Sequence, residues 1–228
     1  KENLLTEGGA YGHMAHPFDD KDLTFGDLKK IITLGLGGQL NREDGVTEKL
    51  DGQQIAIGYD PESGQALAIR NKTHAMEGGL DKEKLKNYFT IDRIAAKKPP
   101  TPANIVDSFY DAMVNFEKVA RSLSPEFFIT PEGERIFYNA EVMDPNVIDY
   151  DTQVLTIQRV GHKKLSNGKQ VSLGANIAEK YAAELEQKLQ EIQEESPEIS
   201  TVKVNAIVNF TDFIEKKEVY RTAINELR

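Results

Sequence analysis

Apolar positions along the chain switch between helical and strand periods. Leu28, Ile31, Ile32 and Leu36 recur at helical spacing behind Thr24-Phe25-Gly26-Asp27, a capping box with Asp where Glu or Gln is usual, and Gly37-Gly38 stops the helix. Residues 54–59 and 65–70 read as strands joined by the tight turn Pro61-Glu62-Ser63-Gly64, which predicts a hairpin. Residues 81–89 read as a helix that is basic on one side, and Lys97-Lys98-Pro99-Pro100-Thr101-Pro102 breaks the chain after it. Ile105, Phe109, Met113, Phe116 and Ala120 mark a longer amphipathic helix running to about Leu123. Residues 135–143 and 153–160 are strand-like on either side of a loop at Pro145-Asn146. An acidic helix over 175–195, a strand over 201–209 and a helix over 211–228 complete the pattern. The expected architecture is α+β, with antiparallel strands and helices on one side, residues 1–22 being an irregular lead-in and 23–228 a single domain.

Composition narrows the classes of function. The 228 residues carry 28 Lys+Arg against 37 Asp+Glu, a net charge of −9. That balance argues against a chain that coats nucleic acid through bulk charge, while leaving room for a local basic groove. With no cysteine, disulfides, thiol catalysis and cysteine-held zinc are excluded, which suits an intracellular setting. No apolar run approaches the roughly 20 residues that span a bilayer, so no membrane partner is expected.

The chemistry concentrates around Thr47-Glu48-Lys49-Leu50-Asp51-Gly52-Gln53. A lysine stands at a strand entry, two residues before an Asp-Gly turn. Lysine acts as a nucleophile only when its ammonium loses a proton, which desolvation or a cationic neighbour promotes. A glycine beside it lets a phosphate approach the backbone. K-x-D-G alone arises by chance in about one chain in twenty of this length. Two further features add to it. Ala68-Ile69-Arg70-Asn71-Lys72 follows the hairpin, and Ile136-Phe137-Tyr138-Asn139-Ala140-Glu141-Val142-Met143 places one carboxylate in an apolar strand. Glutamate is seldom buried without a partner, so Glu141 is expected to face a polar site.

In this order the segments resemble the covalent nucleotidyltransferases: ATP-dependent RNA and DNA ligases and mRNA capping enzymes. Glu48-Lys49-Leu50-Asp51-Gly52 resembles their nucleotide-accepting motif, Ala68–Lys72 their S-R-x-G-type element, and Phe137–Val142 their F-Y-G-E-L-V-type motif. His13-Met14-Ala15-His16-Pro17-Phe18-Asp19-Asp20 and Asn146-Val147-Ile148-Asp149-Tyr150-Asp151 are similar to wording in ligase-like proteins of large tailed phages. The resemblance covers residues 8–160. It implies a ligase-type, ATP-grasp-like nucleotidyltransferase fold using ATP and Mg²⁺. Lys49 would take AMP from ATP, Arg70 would clamp a phosphate or an incoming nucleic-acid end, and Glu141 would bind the ribose or the metal. Glu48 would lie beside the adenine through its backbone, while Asp51 and Gly52 complete the nucleotide site. The implied partners are nucleic-acid ends, RNA ahead of DNA. The alternative is a non-catalytic virion protein on a degenerate ligase fold, binding phage capsid or tail proteins. The expected location is the cytoplasm of an infected bacterium or the virion.

The chain also departs from the family. Its E-G-x-V element should follow Glu141, but the nearby Glu132-Gly133 precedes it and reads as a turn. In place of the K-x-K strand there is Lys203-Val204-Asn205, and residues 154–158 lack the aromatic that would stack on a base. For nucleic-acid contact the local candidates are Lys72, His74, Arg159, Lys163 and Lys164; the last three flank His162 in a stretch free of acids from Thr152 to Ala178. A solvated hairpin loop is the competing reading there. His13 and His16 would ligate a metal only if helical, and Gly12 and Pro17 favour a loop. Gly35-Leu36-Gly37-Gly38 ends a helix and is no phosphate loop. Leu5-Thr6-Glu7-Gly8 is similar to cleavage sites of T-even-type prohead proteases.

Overall fold

The computed structural model describes residues 22, 24–36, 50, 52–143, 153–195 and 201–207. Lys49, Glu48, Asp51, His13, His16, the tetrapeptide at 5–8 and the helix expected over 211–228 lie outside them. The chain divides into two compact units, one formed by Lys1–His13 with Leu50–Asn205, the other by Met14–Lys49 with Ala206–Arg228.

In the second unit the described element is helix α1 (Phe25–Leu36). Its expected capping box is present. Thr24 N and Oγ1 both donate to Asp27 Oδ2, at 2.9 and 2.6 Å, and Asp27 N donates back to Thr24 Oγ1 at 3.2 Å. These bonds, the side-chain one first, hold the Asp27 carboxyl below its usual range.

The first unit is α+β, a seven-stranded mixed sheet flanked by helices. Strands β1 (Gln53–Asp60) and β2 (Gln65–Ile69) form the predicted hairpin. Its turn closes through Gly64 N to Asp60 O at 2.8 Å, with Gly64 at φ +69°. A short helix α2 (Lys72–Met76) follows, then α3 (Lys82–Asn87), a π turn (Tyr88–Asp92) and α4 (Arg93–Ala95). Helix α5 (Ala103–Ala120) leads through a 3₁₀ turn to β3 (Arg135–Met143). Then come β4 (Val154–Ile157), the hairpin β5 (Lys163–Ser166) and β6 (Lys169–Ser172), helix α6 (Ala175–Glu195) and β7 (Val202–Val204). Strand order is β2-β1-β3-β4-β7, with β5 on β3 and β6 on β5.

The expectation of purely antiparallel strands is corrected at one place: β7 pairs with β4 in parallel. The α6 crossover makes this possible, because it carries the chain back to the starting end of β4. The strand expected over 153–160 shortens to four residues, and of the one expected over 201–209 the described residues form a strand at Val202–Val204.

Strand alternation sorts the side chains of β3 onto two faces. Ile136, Tyr138, Ala140 and Val142 join Ile55, Ile57, Phe109, Met113, Phe116 and Leu185 in the main core, beneath α5 and α6. Phe137 faces the other way, into a small cluster with Ala56, Ile69 and Ala75 that α2 and β5 cover, and Met143 packs with Leu50 and Val154. Asn139 and Glu141, between those two residues on the same face, are the polar part of it.

Beyond Ile157 the chain leaves β3 and rejoins it at Lys163. The left-handed Gly161 (φ +81°) makes the step, and His162 fills it. Its Nδ1 accepts the Asn139 N–H at 3.0 Å, where a ladder carbonyl would otherwise stand. His162 is fully buried, and burial lowers its pKa to about 4.

Candidate functional site

Glu141 is the centre of the polar face. Its Oε2 accepts the Gly52 N–H at 2.8 Å and its Oε1 accepts Gln158 Nε2 at 3.1 Å. Gln158 Oε1 in turn accepts Asn205 Nδ2 at 3.0 Å. A continuous relay thus runs from the entry of β1 through β3 to the residues just after β4 and β7. Gln54 donates to Asn139 Oδ1 at 3.2 Å beside it. In register, Gln54 lies opposite Glu141, Glu141 opposite Thr156, and Thr156 opposite Lys203. Thr156 is buried, and its hydroxyl has no hydrogen-bond partner among the described residues. Lys203 alternates with the core residues Val202 and Val204 and is exposed. The row therefore offers a carboxylate, a hydroxyl and a cation on one face of the sheet.

Gly52 has a reason of its own to be glycine. A Cβ there would collide with Met143 Sδ and lie 2.8 Å from Val142 O and 3.2 Å from Glu141 Cβ. The close neighbour that excludes a side chain is therefore β3.

Arg70 lies elsewhere. Ala56 pairs with Ile69, so the next position of β2 aligns with Ile55, a main-core residue, on the face away from Glu141. Its guanidinium rests 4.6 Å from the Phe109 ring centroid and 5.4 Å from that of Phe89. Among the described residues no carboxylate forms an ion pair with it, and burial lowers its pKa. Arg70 and Glu141 are thus not brought into one pocket.

Of the nucleic-acid candidates, Lys72 is exposed at the start of α2. His74 is buried; its Nδ1 accepts Arg70 N at 3.3 Å, its ring packs edge-on against Tyr88 at 4.4 Å, and burial lowers its pKa. It shapes the turn and presents no edge to a phosphate. Arg159 is corrected most clearly. It is buried, donating to Asn205 O at 2.9 Å and to Glu179 Oε1 at 3.0 Å, and pairing with Glu186. Two glutamates of α6 had already claimed this cation, and the sequence stretch showed no acid only because they lie farther along the chain. Lys164 pairs with Glu134 at 2.5 Å, which raises its pKa, while burial lowers that of Lys163. Both stand on the β5–β6 hairpin, whose turn residues Asn167 (φ +50°) and Gly168 (φ +72°) suit a two-residue loop.

Comparison with family models, with curated proteins and with solved structures gives no match. The geometry is therefore what bears on function. Among the described residues no group of three or more His, Asp or Glu could hold a metal, and no helix is long and apolar enough to cross a membrane. Sequence reasoning overlooked Gln158 and Asn205. The signal was present in the alternation Val154-Leu155-Thr156-Ile157-Gln158, which sets two polar residues on one face of a strand.

Proposed function

We propose that the chain carries out ligase-type nucleotidyl transfer, with Lys49 as the acceptor of AMP and Glu141 as the carboxylate facing the bound nucleotide. The observation that supports this reading is the bond from Gly52 N to Glu141 Oε2. It ties the segment that resembles the nucleotide-accepting motif to the one that resembles the F-Y-G-E-L-V-type motif, and Lys49 precedes Gly52 by three residues in the chain. In the reaction, the Lys49 ammonium gives up its proton to solvent, and the resulting amine attacks the α-phosphorus of ATP. A P–N bond forms, the P–O bond to pyrophosphate breaks, and AMP stays on the lysine. Lys203 is the exposed cation in the same cross-strand row as Glu141 and is suited to the phosphate charge. Glu141 would be the one protein carboxylate toward Mg²⁺, an ion that beside nucleotides commonly takes one or two carboxylates, phosphate oxygens and water. Bound there, the ion would neutralise the leaving pyrophosphate.

A second reading, a non-catalytic virion protein on a ligase-derived fold, is favoured by the placement of Arg70 across the sheet from Glu141. One experiment separates the two. The protein is incubated with ATP and Mg²⁺ and its intact mass is taken under denaturing conditions, with Lys49→Ala alongside. An AMP adduct on the parent that is lost in the variant supports transfer; no adduct on either rejects it in favour of the second reading.

A further inference from the structure

The two ends of α5 carry surfaces of opposite character. Just before it, Ile91 and Ile94 are each 61% exposed, among Arg93, Lys97 and Lys98, with Asp92 as the neighbouring acid. This corner is braced. Arg93 Nε donates to Pro99 O at 2.7 Å, Thr101 N to Phe89 O at 3.0 Å, and Lys98 N to Arg93 O at 2.8 Å. Lys97 ends α4 at φ +57°, a position where glycine is the usual choice. The left-handed turn closes the end of α4, Lys97 N donating to Ile94 O at 2.9 Å, and holds the lysine beside two exposed isoleucines.

Just after α5, a cleft of about 670 Å³ opens between residues 122–127 and α6. Leu123, Phe127 and Ile192 line its apolar part. Glu126, Glu184, Glu191 and Glu195 surround them, with Lys188 as the one cation in the lining. The corner thus carries three cations to one acid, and the cleft four acids to one cation. Eighteen residues of α5, about 27 Å of helix, separate the two.

We propose that the basic corner of one copy seats in the acidic cleft of the next, so that the chain associates head to tail. Ile91 and Ile94 meet Leu123, Phe127 and Ile192, while Lys97 and Lys98 meet the glutamates. The contact is heterologous, using different patches on the two copies, so it repeats into a ring or an open file. A corner of about ten residues is smaller than the 20–30 residues per side of a standard interface, which makes the association weak and salt-sensitive.

Sedimentation velocity on the full chain tests this over protein concentrations from about 10 to about 500 μM, at about 0.05 M and about 0.5 M salt. The expected result is reversible association at low salt that weakens by about tenfold or more at high salt. The double variants Lys97→Glu/Lys98→Glu and Glu191→Lys/Glu195→Lys are each expected to be monomeric, and an equimolar mixture of the two to associate again, since each then offers the charge the other lacks. A parent chain that stays monomeric at low salt, association that neither double variant alters, or a mixture that remains monomeric would overturn the proposal.

Discussion

Gly52 and Glu141, 89 residues apart in sequence, are joined by a hydrogen bond from backbone N–H to carboxylate, with no room between their strands for even a methyl group. Glu141 is an acceptor flanked by two donors, Gly52 N and Gln158 Nε2. Glu141→Gln presents an amide donor to one of them, and flipping Gln158 to compensate would break its bond from Asn205. We expect Glu141→Gln to destabilise the fold by about 1–2 kcal/mol and to lower AMP transfer by about a hundredfold. Gly52→Ala should cost about 1–3 kcal/mol, because a strand backbone must move. Urea unfolding and denaturing mass measurements check both, and an unchanged midpoint for Gly52→Ala would refute the close approach of β3.

The pH dependence of stability should carry the mark of His162. Its folded pKa of about 4 lies below the unfolded value near 6.5, so protons bind the unfolded chain more readily. The stability it contributes is present above pH 6.5 and is lost as the pH falls toward 4. Between pH 7 and pH 5 that loss is about 2 kcal/mol. His74, also lowered by burial, acts in the same direction. Carboxylates held low, such as Asp81 and Glu134, begin to matter only below about pH 4.5. In His162→Asn, whose Oδ1 can still accept the Asn139 N–H, the loss between pH 7 and pH 5 should shrink by about 2 kcal/mol. A slope that the substitution leaves unchanged would assign the titration to other groups.

The outer edge of β2 is guarded by a buried glutamate. Glu117 accepts Ala66 N at 3.1 Å and Lys82 Nζ at 2.8 Å. Nearby, Leu80 exchanges two backbone bonds with Ala68 on the same edge. Glu117→Ala leaves the Ala66 N–H and the Lys82 ammonium without their acceptor and should cost about 3 kcal/mol. Glu117→Gln keeps the Ala66 bond and should cost about half of that. Equal losses from the two substitutions would show that the backbone bond contributes nothing.

Lys97→Gly should stabilise the folded chain by about 0.5–1 kcal/mol, since glycine occupies φ +57° without strain. Thermal unfolding at high salt and low protein concentration gives the comparison with the proposed association weakened. A fall in Tm would place Lys97 in a stabilising contact instead.

Periodicity made the helices and the central strand readable. The apolar stripe of α5 and the bounds of β3 and α6 follow from side-chain spacing alone, because those elements bury a regular face. What spacing could not give was parity between strands. Arg70 ends the apolar run of β2 and Glu141 interrupts that of β3, yet one step of register separates them to opposite faces, and that step is set by how β1 meets β2 and β3. Partner choice was hidden for a similar reason. Arg159 stands in a stretch free of acids, but α6 returns over it with Glu179 and Glu186. The glycine of the K-x-D-G segment was legible as a close approach, though the approaching group in the structure is a strand.

The central place of β3 also orders the folding reaction. The β1–β2 and β5–β6 hairpins close over four and two residues, so they can form early and at little entropic cost. Pairing of β1 with β3 instead requires the chain to close a loop nearly 90 residues long, through α2 to α5. Until it does, β1 and β3 have unpaired edges and the main core has no floor. We therefore expect the docking of β3 onto the first hairpin to limit the folding rate, and a chain stalled before it to expose the strand edges most prone to intermolecular pairing.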